Sequence, residues 1–218
     1  MNKTKLDKMI FDRIAVKYEE ISNKAISDIR RKALNNDDFT IISNNCWGGH
    51  VYRRFGLQYK SPTVGLYFYS DEYIRFLKDL ENNLYGDIRI INSYDSKYKD
   101  DLLRKNQSDV VIGLINNSIE VVFLHYHSPE EAIEKWRRRA ERVNMDNLIV
   151  KFSQMNNCSI RNLMDFSDLE YKKKVLFLAS KVEGINGVVI KRYSDNNQVV
   201  DDTTYYSNHI SLKQLINS

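Results

Sequence analysis

Phe39-Thr40-Ile41-Ile42-Ser43-Asn44-Asn45-Cys46-Trp47-Gly48-Gly49-His50 carries the decisive change of pattern in this chain. Phe39 to Ile42 is a short apolar run that reads as a buried strand. Ser43-Asn44-Asn45 ends it, a cysteine and paired glycines follow, and Val51-Tyr52-Arg53-Arg54-Phe55 is compatible with a helix. Strand, tight turn and helix start make the basic unit of α/β folds. The turn leaves a nucleophile or a bound phosphate at the carboxyl end of a strand, facing free backbone N–H groups.

Working outward, positions Leu6, Met9, Ile10, Ile14, Tyr18, Ile21, Ala25, Ile29 and Ala33 recur at helical spacing, with no glycine or proline between Lys5 and Leu34. One helix there would be about 45 Å long at 1.5 Å per residue, long enough to pack on a second copy. Val64 to Tyr69 reads as another strand. Ser70 is placed to cap a helix from Asp71 to Tyr85 that Gly86 stops. Asp87 to Ile91 is a strand, and Val110–Leu114 and Ile119–Leu124 flank an Asn116-Asn117 turn as a hairpin. Ser128-Pro129-Glu130-Glu131 opens a helix to about Val143 with cap, first-turn proline and capping-box glutamate in place. Strands at Asn147–Phe152, Val175–Ala179 and Gly187–Lys191, a helix at Ile160–Phe166 and a Ser211-capped terminal helix complete the pattern.

The expected fold is α/β, with a mixed, mostly parallel sheet flanked by helices and a long N-terminal helix. Its parts would be residues 1–38 (the helix), 39–150 (the core) and 151–218 (a smaller α/β part). The last two form either two subdomains or one continuous domain.

Composition sets bounds. The 218 residues hold 33 Lys+Arg against 29 Asp+Glu, a net charge of +4, which is too mild for a dedicated nucleic-acid binder. Two cysteines are no disulfide framework. The start lacks the apolar region of a signal peptide, and no apolar run reaches membrane-span length. These features point to the cytoplasm. The sequence contains none of the P-loop, dinucleotide-fingerprint, HExxH, CxxC or GxSxG patterns.

Three constellations could carry chemistry. Cys46 at a helix start would have its pKa lowered by the helix dipole, and Gly48 and Gly49 lack the Cβ that would keep an oxyanion from their amides. The plainer alternative is a buried cysteine under Trp47. His125 and His127 leave a strand two residues apart, which suits a base with a helper or two metal ligands. No third ligand has a recognisable spacing, so no metal is expected. Lys135, Arg138, Arg139 and Arg142 recur as one basic helix face that could clamp a phosphate, or lie solvated beside Glu131 and Glu134.

Ser43-Asn44-Asn45-Cys46-Trp47-Gly48-Gly49, Tyr52, Gly56-Leu57, Tyr59 and Ser61-Pro62-Thr63 resemble the opening signature of a bacterial domain-of-unknown-function family, DUF1919, whose members are often labelled exopolysaccharide- or capsule-biosynthesis proteins. Phe123-Leu124-His125-Tyr126, Glu131-Ala132, Lys135-Trp136, Arg138-Arg139, Arg142, Asn144 and Asn147 resemble its second signature. The resemblance implies an α/β fold and a link to surface polysaccharide, with no established reaction. The Asn-Cys turn is also loosely similar to the N-C-Q turn of capsule proteins that look like coenzyme-A-dependent acyl transferases, with Trp47 in place of Gln.

The expectation is a transferase modifying a sugar or polysaccharide precursor, by acyl transfer from a donor such as acyl-coenzyme A. Cys46 would be the nucleophile and His125 the base. Asn45, Trp47, Gly48, Gly49, Tyr52, His127, Arg138 and Arg142 would bind substrate. The alternative is a non-catalytic sugar- or nucleotide-binding module in which Trp47, Tyr52 and Tyr59 stack on a ligand. If the two signatures form one site, the Cys46 and His125–Ser128 loops must meet at the same edge of the sheet, and Ile119–Leu124 must run parallel to Phe39–Ile42.

Overall fold

The structure, a computed structural model, describes residues 24–204 and 206–218. Its strands form two sheets, each of one kind. β1 (Thr40–Ser43), β5 (Leu148–Ser153), β6 (Lys173–Leu178) and β7 (Val188–Val189) lie in the order β1-β5-β6-β7, every pair parallel, with Ile41 opposite Ile149 and Phe177 opposite Val188. β2 (Ile88–Ile91), β3 (Val111–Ile115) and β4 (Ile119–Phe123) form an antiparallel meander. The mixed character expected of one sheet is therefore divided between two. The parallel sheet takes strands from both sides of residue 151, so residues 39–150 and 151–218 share it.

Helices cover the sheets: α1 (24–32), α2 (Trp47–Arg54), α3 (Ser70–Lys78), α4 (Leu80–Tyr85), α5 (Lys99–Arg104), α6 (Pro129–Ala140), α7 (Ile160–Asp168) and α8 (Leu212–Asn217). The long helix expected from Lys5 falls mostly outside the described residues, of which 24–32 are helical. Among the described residues, no helix is long and apolar enough to cross a membrane.

Local chemistry accounts for the boundaries. Asn116 and Asn117 both take positive φ, 48° and 54°, as a tight hairpin turn matched to strand twist requires. Ser128 accepts from the Glu131 amide to cap α6, while the Glu131 carboxylate reaches the His127 amide at 2.8 Å, one residue before the cap. Ser159 and Asn162 close a full capping box on α7. Two elements differ from expectation. The single helix over 71–85 breaks at Asp79, whose φ of −142° is not helical, and Ser70 is its first helical residue rather than its cap, donating instead to the Met155 carbonyl at 2.7 Å. Val64 to Tyr69 forms no strand, only one antiparallel bridge from Tyr67 to Val122.

The larger core packs α3, α6 and α7 against both sheets through Phe76, Phe123, Trp136, Phe152 and Phe166. Trp136, the anchor of α6, donates its indole N–H to the Leu84 carbonyl at 3.0 Å. A second core gathers Phe39, Trp47, Tyr52, Phe177 and Tyr206 around the parallel sheet.

Candidate functional site

The two signature loops do meet, by a route other than neighbouring strands. β1 and β4 lie in different sheets, and the residues 64–68 form a ribbon between them. On one side the Phe68 amide donates to the Asn44 carbonyl at 3.0 Å, and the Cys46 thiol faces the Leu66 carbonyl at 3.6 Å. On the other, Tyr67 and Val122 exchange backbone hydrogen bonds and the His125 amide donates to the Gly65 carbonyl at 3.0 Å. Gly65 has a φ of +81°, and a Cβ there would stand 3.2 Å from the Tyr126 ring, so glycine alone suits both the backbone and the contact.

The result is a cavity of about 340 Å³ whose walls include Cys46, Gly49, His50, Arg53, Tyr59, His125, Tyr126, Lys135 and Arg139. Its polar character is cationic. Arg139 is buried and donates to the Val64 carbonyl at 3.0 Å and the Tyr126 hydroxyl at 2.7 Å, with its guanidinium 5.1 Å from the Tyr59 ring. Lys135 is paired with Glu131 and sits 5.7 Å from the Tyr126 ring. Burial and the Arg53 charge hold the His50 imidazole below its ordinary pKa, with Asp201 and Asp202 opposing.

Cys46 occupies the N-cap of α2, but burial pushes its thiol pKa up. The expected lowering by the helix dipole is outweighed, because taking a thiolate out of water costs more than one helix end returns. The glycines also act differently from expectation. The Gly49 amide donates to the Cys46 carbonyl at 3.0 Å and the Gly48 amide to Ser43 Oγ at 3.4 Å, so neither points free into the cavity. A Cβ on Gly49 would meet Val64 at 2.9 Å and one on Gly48 would meet Ile41 at 3.1 Å. The pair lets α2 lie against β1 and the ribbon.

Beneath the turn lies a sealed polar network. The Lys151 ammonium, fully buried in the middle of β5, donates to Asp202, to Asn45 Oδ1 at 2.8 Å and to Asn44 Oδ1 at 3.2 Å. Asp202 also accepts from Ser153 Oγ and from Asn45 Nδ2 at 2.9 Å. Burial pulls the Lys151 pKa down against the opposing pull of Asp202. A second hollow, lined by Asn45, Asp201, Asp202, Lys105 and Gln107, opens on the other side of Cys46, which borders both.

Of the residues singled out in the sequence, Cys46, Gly49, Tyr59, His125, Lys135 and Arg139 line the cavity. Trp47 and Tyr52 are fully buried, and neither has a face open to a ligand. Trp47 is wedged edge-on against Phe177 and Tyr206, and the Tyr52 hydroxyl accepts from the Ile41 amide at 2.9 Å. Asn45 belongs to the network below, and Gly48 to the helix packing. His127 is exposed and outside the cavity wall. Arg138 pairs with Glu134 at 3.1 Å on the outer side of α6, and Arg142 reaches the Tyr59 carbonyl at 3.4 Å. The cations that α6 gives the cavity are Lys135 and Arg139.

His50, Arg53, Lys151 and Asp202 were absent from the sequence-derived set. His50 stands four residues after Cys46 and so one helical turn along the same face. A lone lysine inside the apolar run Leu148–Phe152 was the visible signal for Lys151, since lysine is almost never fully buried without a partner. Nothing local marks Asp202 as that partner. Among the described residues, no group of His, Cys, Asp and Glu is placed to hold a metal ion.

An uncharacterized protein of Haemophilus influenzae is 26% identical over 172 residues, 78% of this chain and 77% of that protein. A family profile described as a domain of unknown function, DUF1919, matches residues 17–218. That match spans most of the molecule, including both loops and the buried network, and the chain accordingly belongs to the DUF1919 family.

Proposed function

We propose that this protein is a transferase acting on a sugar or polysaccharide precursor, with acyl transfer as its reaction. The observation that carries the reading is the convergence of Cys46, His50, His125, Arg53, Lys135 and Arg139 on one cavity. A module that only held an anion would need the cations alone. A thiol among imidazoles adds the means to form and break a thioester. The choice of a carbohydrate acceptor rests on the resemblance to proteins labelled as exopolysaccharide or capsule factors.

In the proposed cycle the Cys46 sulfur attacks the acyl carbonyl of a thioester donor while an imidazole, His125 or His50, takes the thiol proton. That imidazolium then protonates the departing carrier thiol. A sugar hydroxyl next attacks the Cys46 thioester, giving its proton to the imidazole, and Cys46 leaves and is reprotonated. Proton acceptance concerted with attack suits a thiol whose burial keeps it protonated at rest. Arg53, Lys135 and Arg139 would offset negative charge on the acyl oxygen, a task the occupied glycine amides cannot take.

A second reading, a non-catalytic binding module, draws on the raised thiol pKa and on those occupied amides. One experiment separates them. The full chain is incubated with acetyl-coenzyme A, its intact mass is measured, and product is then sought with a panel of nucleotide sugars. The transferase reading expects an acetyl adduct on wild type that Cys46→Ala lacks, and adduct formation slowed about 100-fold or more in His125→Gln if that imidazole is the base. Binding with neither adduct nor product would leave the module.

A further inference from the structure

Beside the Cys46 cavity lies a more open one of about 430 Å³, lined by Ser27, Arg30, His50, Arg53, Arg54, Thr203 and Tyr206. Among the described residues, Arg30, Arg53 and Arg54 make no ion pair and no side-chain hydrogen bond, and no carboxylate lines the hollow. The nearby acids are engaged elsewhere: Asp202 with Lys151, and Asp201 with the hydroxyls of Thr203 at 2.6 Å and Thr204 at 2.8 Å. Arg53 and Arg54 sit in the last turn of α2, where cations also favour the helix dipole. That role does not explain Arg30, which comes from α1 and faces the same hollow. Like charges from separate elements repel unless something anionic lies between them.

His50 and Arg53 line both cavities, which makes the arginine hollow continuous with the wall that holds Cys46. We propose that Arg30, Arg53 and Arg54 bind the diphosphate of an organic donor whose reactive end passes His50 and reaches Cys46. Guanidinium forks match phosphate oxygens two at a time, and a diphosphate spreads its oxygens over a longer reach than a single phosphate, which suits forks arriving from two helices. The site at which the group is transferred rests on the transferase reading above. The diphosphate binding does not.

The test therefore measures binding without turnover. Inorganic pyrophosphate and inorganic phosphate are titrated into the full chain by calorimetry at matched ionic strength. Pyrophosphate is expected to bind at least tenfold more tightly than phosphate. Arg30→Gln and Arg54→Gln, both at positions outside the thiol cavity, are each expected to weaken pyrophosphate about tenfold while the thermal midpoint stays at the wild-type value. Cys46→Ala is expected to bind as wild type does. Equal affinity for the two anions, or undiminished pyrophosphate binding in the Arg30→Gln/Arg54→Gln double variant, overturns the proposal. A chain that loses pyrophosphate in the double variant yet forms no acetyl adduct on Cys46 keeps this site and loses only the transferase reading.

Discussion

Each half of the molecule buries a carboxylate against a lysine, and the two pairs differ in almost everything but chemistry. In the parallel-sheet half, Lys151 and Asp202 are both at 0% exposure, and the ammonium finds Asp202, Asn44 and Asn45. In the antiparallel half, Glu72 is 2% exposed while its partner Lys97 remains 43% exposed at 2.8 Å, on a loop that water can reach. Glu72 also accepts from the Tyr98 hydroxyl at 3.0 Å and the Glu120 amide at 2.8 Å. A pair open on one side is a tether for a loop. A pair sealed on both sides must be satisfied entirely by protein, and it therefore fixes the positions of everything it touches. What Lys151 touches is Asn44-Asn45, the turn that presents Cys46.

The sharpest way to break the contrast is to remove the two lysines. Lys151→Met leaves the Asp202 carboxylate buried with only Ser153 and Asn45 as donors, and should cost about 3–5 kcal/mol in urea unfolding. The double variant Lys151→Met/Asp202→Leu should recover much of that loss, because the uncompensated charge is gone. A single-variant cost under about 1 kcal/mol would mean that water enters beneath the Cys46 turn.

Lys97→Met should cost far less, about 1 kcal/mol at most, since a partner that stays 43% exposed is already screened by solvent and Glu72 keeps its two other donors. The same unfolding measurement checks it. Costs of equal size for the two lysines would show that burial is not what distinguishes the halves.

These halves also differed in how well the sequence announced them. The hairpin was legible because Asn116-Asn117 between two β-rich runs has one good local solution, and α6 because its cap, proline and glutamate all fall within four residues. The parallel strands were legible as apolar runs. Their separation into a second sheet was not, since strand partnership depends on contacts far apart in sequence. The ribbon at 64–68 illustrates the limit: Val64 to Tyr69 has the composition of a strand, yet its backbone groups are divided between Asn44 and Val122 rather than forming one ladder. The site followed the same rule. Cys46 and His125 could be read from local pattern, whereas the basic face of α6 was legible only as a set, because helical spacing groups Lys135, Arg138, Arg139 and Arg142 without saying which of them line the cavity. Lys151 and Asp202 stand 51 residues apart in sequence, and no periodicity joins them.

The smallest expected effect is a pH dependence that should belong to the site half, because residues 70–124 contain no histidine. His50 titrates below its ordinary value of 6.5 in the folded chain, chiefly through burial and then through Arg53 and His125, while Asp201 and Asp202 pull the other way. The unfolded chain therefore takes up a proton at a pH where the folded chain still resists it. Between the folded and the ordinary pKa the unfolded state holds more protons, so stability rises with pH across that window and is lost as pH falls through it. Wild type should accordingly lose thermal midpoint relative to His50→Gln as the buffer is taken from about pH 7.5 to about pH 5, by an amount on the order of a degree. Paired melts of the two proteins across that range read it directly. A midpoint difference that stays flat would mean that Asp201 and Asp202 cancel burial and Arg53, and one that grows in favour of wild type on acidification would mean that they outweigh them. In that second case His50 would hold its proton to higher pH than a free imidazole and would join the arginines as an anion ligand rather than serve as a proton acceptor for Cys46.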